Sequence, residues 1–234
     1  MKIKEKLAGN YKETGACTLA FLGDSLTQGA FESDPDSIHG VFDFDCVYHN
    51  VLKKMLNARY PSMPVNIINA GIGGETAADA LKRVGRDILS HSPDFVVVCF
   101  GLNDVGGAYE DYIHALKQIF LTLEEQHLES IFMTPCMLNT YVAEHTHAKL
   151  RAYAAETAAY QNSGRVDQYI NGAVQTLSGM GIRICDCYKL WKQAAQNGAD
   201  TTAWLCNGIN HPTREKHRIF AEELFKIMTE DEHV

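Results

Sequence analysis

No apolar run in the 234 residues approaches the eighteen or so needed to cross a bilayer. The opening residues, Met1-Lys2-Ile3-Lys4-Glu5-Lys6-Leu7, are charged and lack the apolar centre of a signal peptide, so the expected setting is the cytoplasm. Excess positive charge is missing as well. The 21 basic residues face 29 acidic ones, a formal charge of −8, which argues against general nucleic-acid binding. The seven cysteines are an odd number, which excludes a full set of internal disulfides. Cys17, Cys99, Cys136, Cys185 and Cys187 fall in or beside apolar runs, where a free thiol behaves as a small hydrophobe, and this fits a reducing compartment. None of the glycine turns has the G-x-G-x-x-G or P-loop spacing of a nucleotide site. No repeat, low-complexity tract or linker interrupts the chain, so residues 1–234 read as one domain.

What is present is a regular alternation. Short apolar runs at 17–22, 65–71, 95–100, 130–133 and 181–186 read as strands. Between them lie helical patterns. Tyr48, Val51, Leu52, Met55 and Leu56 recur at helical spacing, and Ala77, Ala80, Leu81, Val84 and Ile88 form the inner face of a helix over about 76–90. Further helical runs carry Tyr112 to Leu123, span 148–180 with a break at Asn162-Ser163-Gly164, cover 188–196, and follow Pro212. Residues 31–45 and 136–147 lack periodicity and read as loops over the sheet edge. Five strands alternating with helices predict α/β architecture with a parallel sheet and right-handed crossovers.

The polar residues collect where strands end. Gly23-Asp24-Ser25-Leu26-Thr27-Gln28-Gly29 follows the first strand and Gly71-Ile72-Gly73-Gly74 the second. Gly101-Leu102-Asn103-Asp104 follows the third, and Asn207-Gly208-Ile209-Asn210-His211-Pro212 precedes the last helix. In a doubly wound sheet these turns emerge at one edge. A serine and a histidine there, with glycine N–H groups and an asparagine amide nearby, form the set that acyl transfer requires. Each residue alone has a plainer reading: Asp24 and Ser25 as helix caps, the glycines as close packing, Asn103 as a turn former, His211 as a surface residue.

In this order the four landmarks resemble those of SGNH (GDSL-type) hydrolases, across residues 23 to 212. The resemblance implies a three-layer αβα fold with flavodoxin-like strand order. It also implies a serine esterase needing no cofactor or metal and acting on a small-molecule ester, with acetyl groups on carbohydrate as the expected substrate. Ser25 is then the nucleophile and His211 the general base, with the Ser25 N–H, the Gly74 N–H (Gly71 or Gly73 the fallback) and the Asn103 amide as oxyanion donors. A short-chain lipid esterase, lysophospholipase or thioesterase would use the same residues, and a binding protein could retain the pocket without turnover.

One position departs from the family pattern. Members usually place an aspartate three residues before the histidine, and here that position is Gly208, with no carboxylate between Asp200 and His211. The expectation is a Ser25–His211 pair whose ring is held by the Asn207 amide oxygen or by a backbone carbonyl, with Asp186 as a carboxylate from elsewhere. Glu144-His145-Thr146-His147 has metal-ligand residue types but reads as solvated loop. Met137, Leu138 and Tyr141 either line a pocket or cover the sheet edge.

Overall fold

A computed structural model describes residues 2–230. In chain order its strands are β1 (Cys17–Gly23), β2 (Ala30–Ser33), β3 (Gly40–Phe42), β4 (Val65–Gly71), β5 (Phe95–Cys99), β6 (Glu129–Met133) and β7 (Arg183–Cys185). The helices are α1 (Lys2–Ala8), α2 (Tyr11–Thr14), α3 (Ser25–Gln28), α4 (Tyr48–Arg59), α5 (Ala77–Leu81), α6 (Val84–Asp87), α7 (Tyr109–Glu125), α8 (Arg151–Asn162), α9 (Arg165–Gly179), α10 (Cys187–Gln196) and α11 (His217–Thr229).

The main sheet has the order β4-β1-β5-β6-β7, and every pairing in it is parallel. Numbered within that sheet alone the order is 2-1-3-4-5, the predicted flavodoxin-like arrangement. Every residue of central β5 is buried, as a strand covered on both faces requires, whereas edge strand β4 is fully buried only at Val65 and Ala70. Helices α4 and α11 pack together on one side, and α5, α7 and α9 pack together on the other. The strand order reverses at β1, so the crevice for a ligand opens beyond its C-terminal end.

Two segments differ from their expectation. Residues 31–45 are not irregular throughout: β2 and β3 form a two-stranded antiparallel hairpin around the loop 34–39. The stretch 76–90 is not one helix but α5, α6 and a 3-10 turn at Leu89–His91. Its apolar positions Ala77, Ala80, Val84 and Ile88 are buried as the spacing requires. The interruption comes at Arg83, whose guanidinium turns inward to the carbonyl oxygens of Ala70 (2.8 Å) and Gly23 (3.2 Å). Those are the last turns of β4 and β1, and Glu75 and Asp87 supply the paired charge at 2.6 and 3.0 Å. A buried cation needs such partners, and reaching them takes Arg83 out of helical geometry (φ −118°, ψ 2°).

The exit from β1 is tight. A Cβ on Gly71 would stand 2.2 Å from the Gln28 nitrogen, and one on Gly23 would stand 2.0 Å from Thr27 Oγ1. Short helix α3 therefore presses directly on the ends of β1 and β4, and Ser25 begins it.

Candidate active site

Asp24 caps α3, its Oδ1 accepting from the Leu26 N–H at 2.9 Å. Ser25 is the first residue of that helix, so its own N–H has no intrahelical acceptor. Both readings of the stretch hold together: the aspartate is the cap, and the serine it leaves at the helix start faces a histidine. Ser25 Oγ lies 2.9 Å from His211 Nε2.

The other imidazole nitrogen, Nδ1, lies 2.8 Å from the carbonyl oxygen of Phe31. A carbonyl only accepts, so Nδ1 carries the proton and Nε2 presents its lone pair to the serine hydroxyl. That is the tautomer a general base needs. Phe31 belongs to β2, where the ladder slips: Ala30 pairs with Phe42 but Ser33 with Gly40, so three steps on one strand oppose two on the other. A bulge of this kind frees main-chain groups and re-aims them, and here the Phe31 carbonyl turns to the histidine.

Asn207 does not hold the ring. Its Oδ1 accepts from the main-chain N–H groups of Ile209, Asn210 and His211, at 3.0, 3.0 and 2.9 Å. Its Nδ2 donates to Asn210 Oδ1 at 2.9 Å. It shapes the loop that delivers His211. Asp186 is also elsewhere, capping α10 and accepting from Thr134 Oγ1 at 3.0 Å. Gly208 shows why the usual aspartate is not tolerated in this loop conformation. Its φ is +69°, and a Cβ there would stand 2.4 Å from Thr146 Oγ1. Asn207→Asp keeps the oxygen that accepts the three N–H groups and leaves the Phe31 bond untouched. Its kcat on p-nitrophenyl acetate is therefore expected to stay within about threefold of wild type, far from the ~10⁴ attached to a catalytic Asp/Asn exchange in a serine protease. A large gain would mean that the ring lacks a partner.

On the other side of Ser25, Asn103 Nδ2 donates to the Glu75 carbonyl at 2.9 Å and reaches Asp24 Oδ2 at 3.4 Å. Those bonds fix the amide plane. Gly74 has φ +80° and open space where a Cβ would be. Gly73 is tied instead, its N–H donating to Gln28 Oε1 at 2.8 Å. Ser25, Gly74 and Asn103 line one cleft of about 530 Å³ together with His211. Ser25, Gly74 and Asn103 thus come to this cleft from three separate strand ends. Asn103→Ala is expected to lower kcat by about 10²–10³, the usual cost of one oxyanion donor, with little change in KM; steady-state kinetics check it.

Burial shifts the titrating groups around this cleft. His211 is held below the ordinary histidine range, chiefly by desolvation, with the Phe31 bond and the Glu32 charge opposing. It is neutral at pH 7, and activity should persist to lower pH than an unperturbed histidine would allow. Asp24 is pushed up to about 7 by burial, with the Leu26 N–H opposing and the charge of Asp104 adding to the rise. Asp104 is pushed up to about 6, again by burial. Raising both carboxyls lessens the negative charge beside Asn103.

His217 lies beneath the site, its ring 4.6 Å from that of Phe31 and its Nδ1 accepting from the Tyr48 N–H at 3.1 Å. Burial pushes it down to about 3. Because the folded value lies below the unfolded one, the folded chain refuses a proton that the unfolded chain takes up. The stability this preserves at neutral pH is lost as pH falls from about 6.5 towards 3, on the order of 4 kcal/mol in all. Asp24 and Asp104 act in the opposite sense over about pH 4 to 7, so the difference between variants is the clean readout. The stability of His217→Phe relative to wild type should rise as pH falls through that window in urea unfolding. A constant offset would contradict a buried neutral imidazole.

Residues of the loop after β6 stay away from the cleft. Met137 and Leu138 are buried in the core, and the Tyr141 hydroxyl donates to Asp200 at 2.7 Å; this loop covers the sheet edge. His145 and His147 each place Nε2 on a main-chain carbonyl, of Leu205 and Pro35 respectively. A larger cavity of about 640 Å³ lies at the start of β6 and β7, among Glu124, His127, Glu129 and Arg183. Ser130 and His127 also line it, but among the described residues no hydrogen bond joins them.

The sequence profile of the GDSL-like lipase/acylhydrolase family matches residues 21–219. An acetylxylan esterase of Geobacillus stearothermophilus is 30% identical over 116 residues, 49% of this chain and 52% of that one. The aligned stretch thus spans about half the length of that relative. A lipoprotein of Bacillus subtilis, YqeF, is 39% identical over 56 residues, 24% of this chain and 23% of that one. Among solved structures, the acetylxylan esterase Axe2 of G. stearothermophilus superposes with a TM-score of 0.64 at 22% identity, covering 92% of this chain and 94% of the other. A two-domain esterase active on acetylated mannans reaches 0.67 at 19% identity, covering all of this chain and 53% of that one. At such identities the superpositions speak for the shared fold.

Proposed function

The chain belongs to the GDSL-like lipase/acylhydrolase family, and from that premise we propose that it is a serine esterase removing small acyl groups, acetyl first among them, from esterified carbohydrate. The observation that carries this reading is the 2.9 Å contact between Ser25 Oγ and His211 Nε2 in a cleft shared with Gly74 and Asn103. His211 Nε2 takes the hydroxyl proton as Ser25 Oγ attacks the ester carbonyl. The Ser25 N–H, the Gly74 N–H and the Asn103 amide receive the developing oxyanion. Collapse of the tetrahedral intermediate expels the alcohol, which takes its proton from His211. Water then repeats the sequence on the acyl-serine, releasing the acid and restoring the hydroxyl. The Phe31 carbonyl orients the ring throughout, but as a neutral acceptor it stabilises the imidazolium less than a carboxylate would.

The substrate class rests on two supports. The cleft is open and its mouth carries the exposed side chains of Ile38, Phe42, Ile72 and Tyr153, surfaces against which a sugar ring can pack. Proteins of similar sequence and fold include esterases of acetylated xylan and mannan. Seven unpaired thiols support a cytoplasmic setting, and we take residues 1–234 to act as one catalytic unit.

The test is an acyl series on p-nitrophenyl esters, followed by acetylated xylo-oligosaccharides. The reading expects kcat/KM to be highest for acetate and to fall with chain length, and acetate to be released from the oligosaccharide. A maximum at long acyl chains would replace it with the lipid-esterase alternative, and no turnover of any ester would favour a binding protein.

A further inference from the structure

His211 and the carbonyl that orients it come from segments 180 residues apart in sequence, and neither the hairpin nor the histidine loop is part of the main sheet. Something must hold one against the other. The side chain placed to do so is Arg214, three residues after His211.

Arg214 makes a forked contact with Glu32, Nη1 to Oε1 at 2.5 Å and Nη2 to Oε2 at 3.2 Å. Its Nε donates to Asp43 Oδ2 at 2.6 Å. Its guanidinium carbon stands 4.5 Å from the centre of the Phe31 ring, a ring that also packs against His217. One planar cation thus grips Phe31 itself, the residue after it on β2, and the residue that follows β3. Asp43 is in turn fixed to the frame: its N–H donates to the Gly29 carbonyl, and its Oδ1 accepts from the Asp45 and Cys46 N–H groups. The carboxyls of Glu32 and Asp43 are both held below their usual range, with the Arg214 hydrogen bond the leading cause. A half-exposed ion pair of this kind contributes little to stability. Its forked geometry fixes direction, and lysine could not reproduce it.

We infer that Arg214 is a positioning residue for catalysis, clamping the β2–β3 hairpin to the histidine loop so that the Phe31 carbonyl stays on His211 Nδ1. The inference rests on the serine-esterase reading of the site. It supplies what the missing aspartate would otherwise supply. With a carboxylate on the same loop, the ring carries its orienting group with it; with a carbonyl on a separate hairpin, the orientation depends on a cross-brace. Misplacing a reacting group by about 1 Å costs about 10²-fold.

The test compares Arg214→Met and Glu32→Gln with wild type on p-nitrophenyl acetate, with active sites counted by organophosphate titration and folding checked by thermal unfolding. Arg214→Met is expected to lose ~10- to 100-fold in kcat per titrated site with KM little changed. Glu32→Gln, which keeps a neutral bond to the guanidinium and retains the Asp43 arm, should lose less. The acid limb of the pH profile separates positioning from general weakening. Ser25 is hydrogen-bonded to His211, Glu32 and His217 are the titratable groups that act on it, and Arg214 acts through its ion pair with Glu32. Removing Arg214 leaves the Glu32 charge uncompensated and moves the limb to higher pH, whereas removing the Glu32 charge moves it lower. Opposite displacements with kcat lowered in both support the clamp. Wild-type kcat and an unmoved limb in Arg214→Met, alongside an inactive Ser25→Ala, would overturn the clamp and leave the esterase reading standing. Full activity in Ser25→Ala would remove the esterase reading and the clamp with it.

Discussion

Ser25→Ala is expected to lose roughly 10⁴- to 10⁶-fold in kcat on p-nitrophenyl acetate while keeping its fold and its affinity for the ester. The side chain exchanged is one hydroxyl at the start of α3, and the helix keeps its cap because Asp24 supplies it. Nothing in the packing depends on Oγ. The loss therefore reports the covalent step, and the residual rate reports binding and the oxyanion donors alone. Stopped-flow release of p-nitrophenol should show an initial burst in wild type, if deacylation is the slower step, and none in the variant.

His211→Ala should cost about as much, and the double variant no more than either single one. Residues that act as a unit lose their joint effect once, not twice. Here the unit is physical: Nε2 has no other role than the 2.9 Å contact with Ser25 Oγ. The loop itself is held from below by Asn207, which accepts from the His211 N–H whatever the side chain, so the variant should fold. Its remaining activity should also lose the acid limb assigned to the depressed imidazole and follow hydroxide instead. Two independent losses that multiply would mean that serine and histidine do not share a step.

The parts of this account that could be read in the chain are those written in side-chain pattern. Val65–Gly71 is a strand where the apolar run lies, and β5 is buried throughout as its continuous valines demand. The strand order then follows, because parallel units with right-handed crossovers leave few arrangements. Ser25, Gly74, Asn103 and His211 meet at one edge for the same reason, each standing just beyond a strand or at the entry to the last helix.

A backbone carbonyl was among the expected partners of the His211 ring; what escaped was which one. The group on His211 Nδ1 is the carbonyl of Phe31, an acceptor that every residue carries and no sequence pattern marks. The one signal was negative: Gly208 where an aspartate was expected. Its left-handed φ and the nearby Thr146 hydroxyl explain that absence after the fact. The β2–β3 hairpin escaped because its strands are short and half-exposed, with too few buried positions to set a period. The single helix expected over 76–90 failed at Arg83. Helical spacing locates buried apolar side chains but says nothing of a buried guanidinium that must find two carbonyls. Asn207 was placed in the right loop but on the wrong partner, since an amide oxygen serves three main-chain N–H groups as readily as one ring.

The most direct measurement is mass spectrometry of the protein after treatment with a fluorophosphonate, an analogue of the tetrahedral intermediate. The account predicts one adduct per chain, on the peptide carrying Ser25, formed at a rate that collapses in His211→Ala and persists in Asn207→Asp. Labelling of another residue, or an unlabelled Ser25 in protein that still hydrolyses esters, would contradict it.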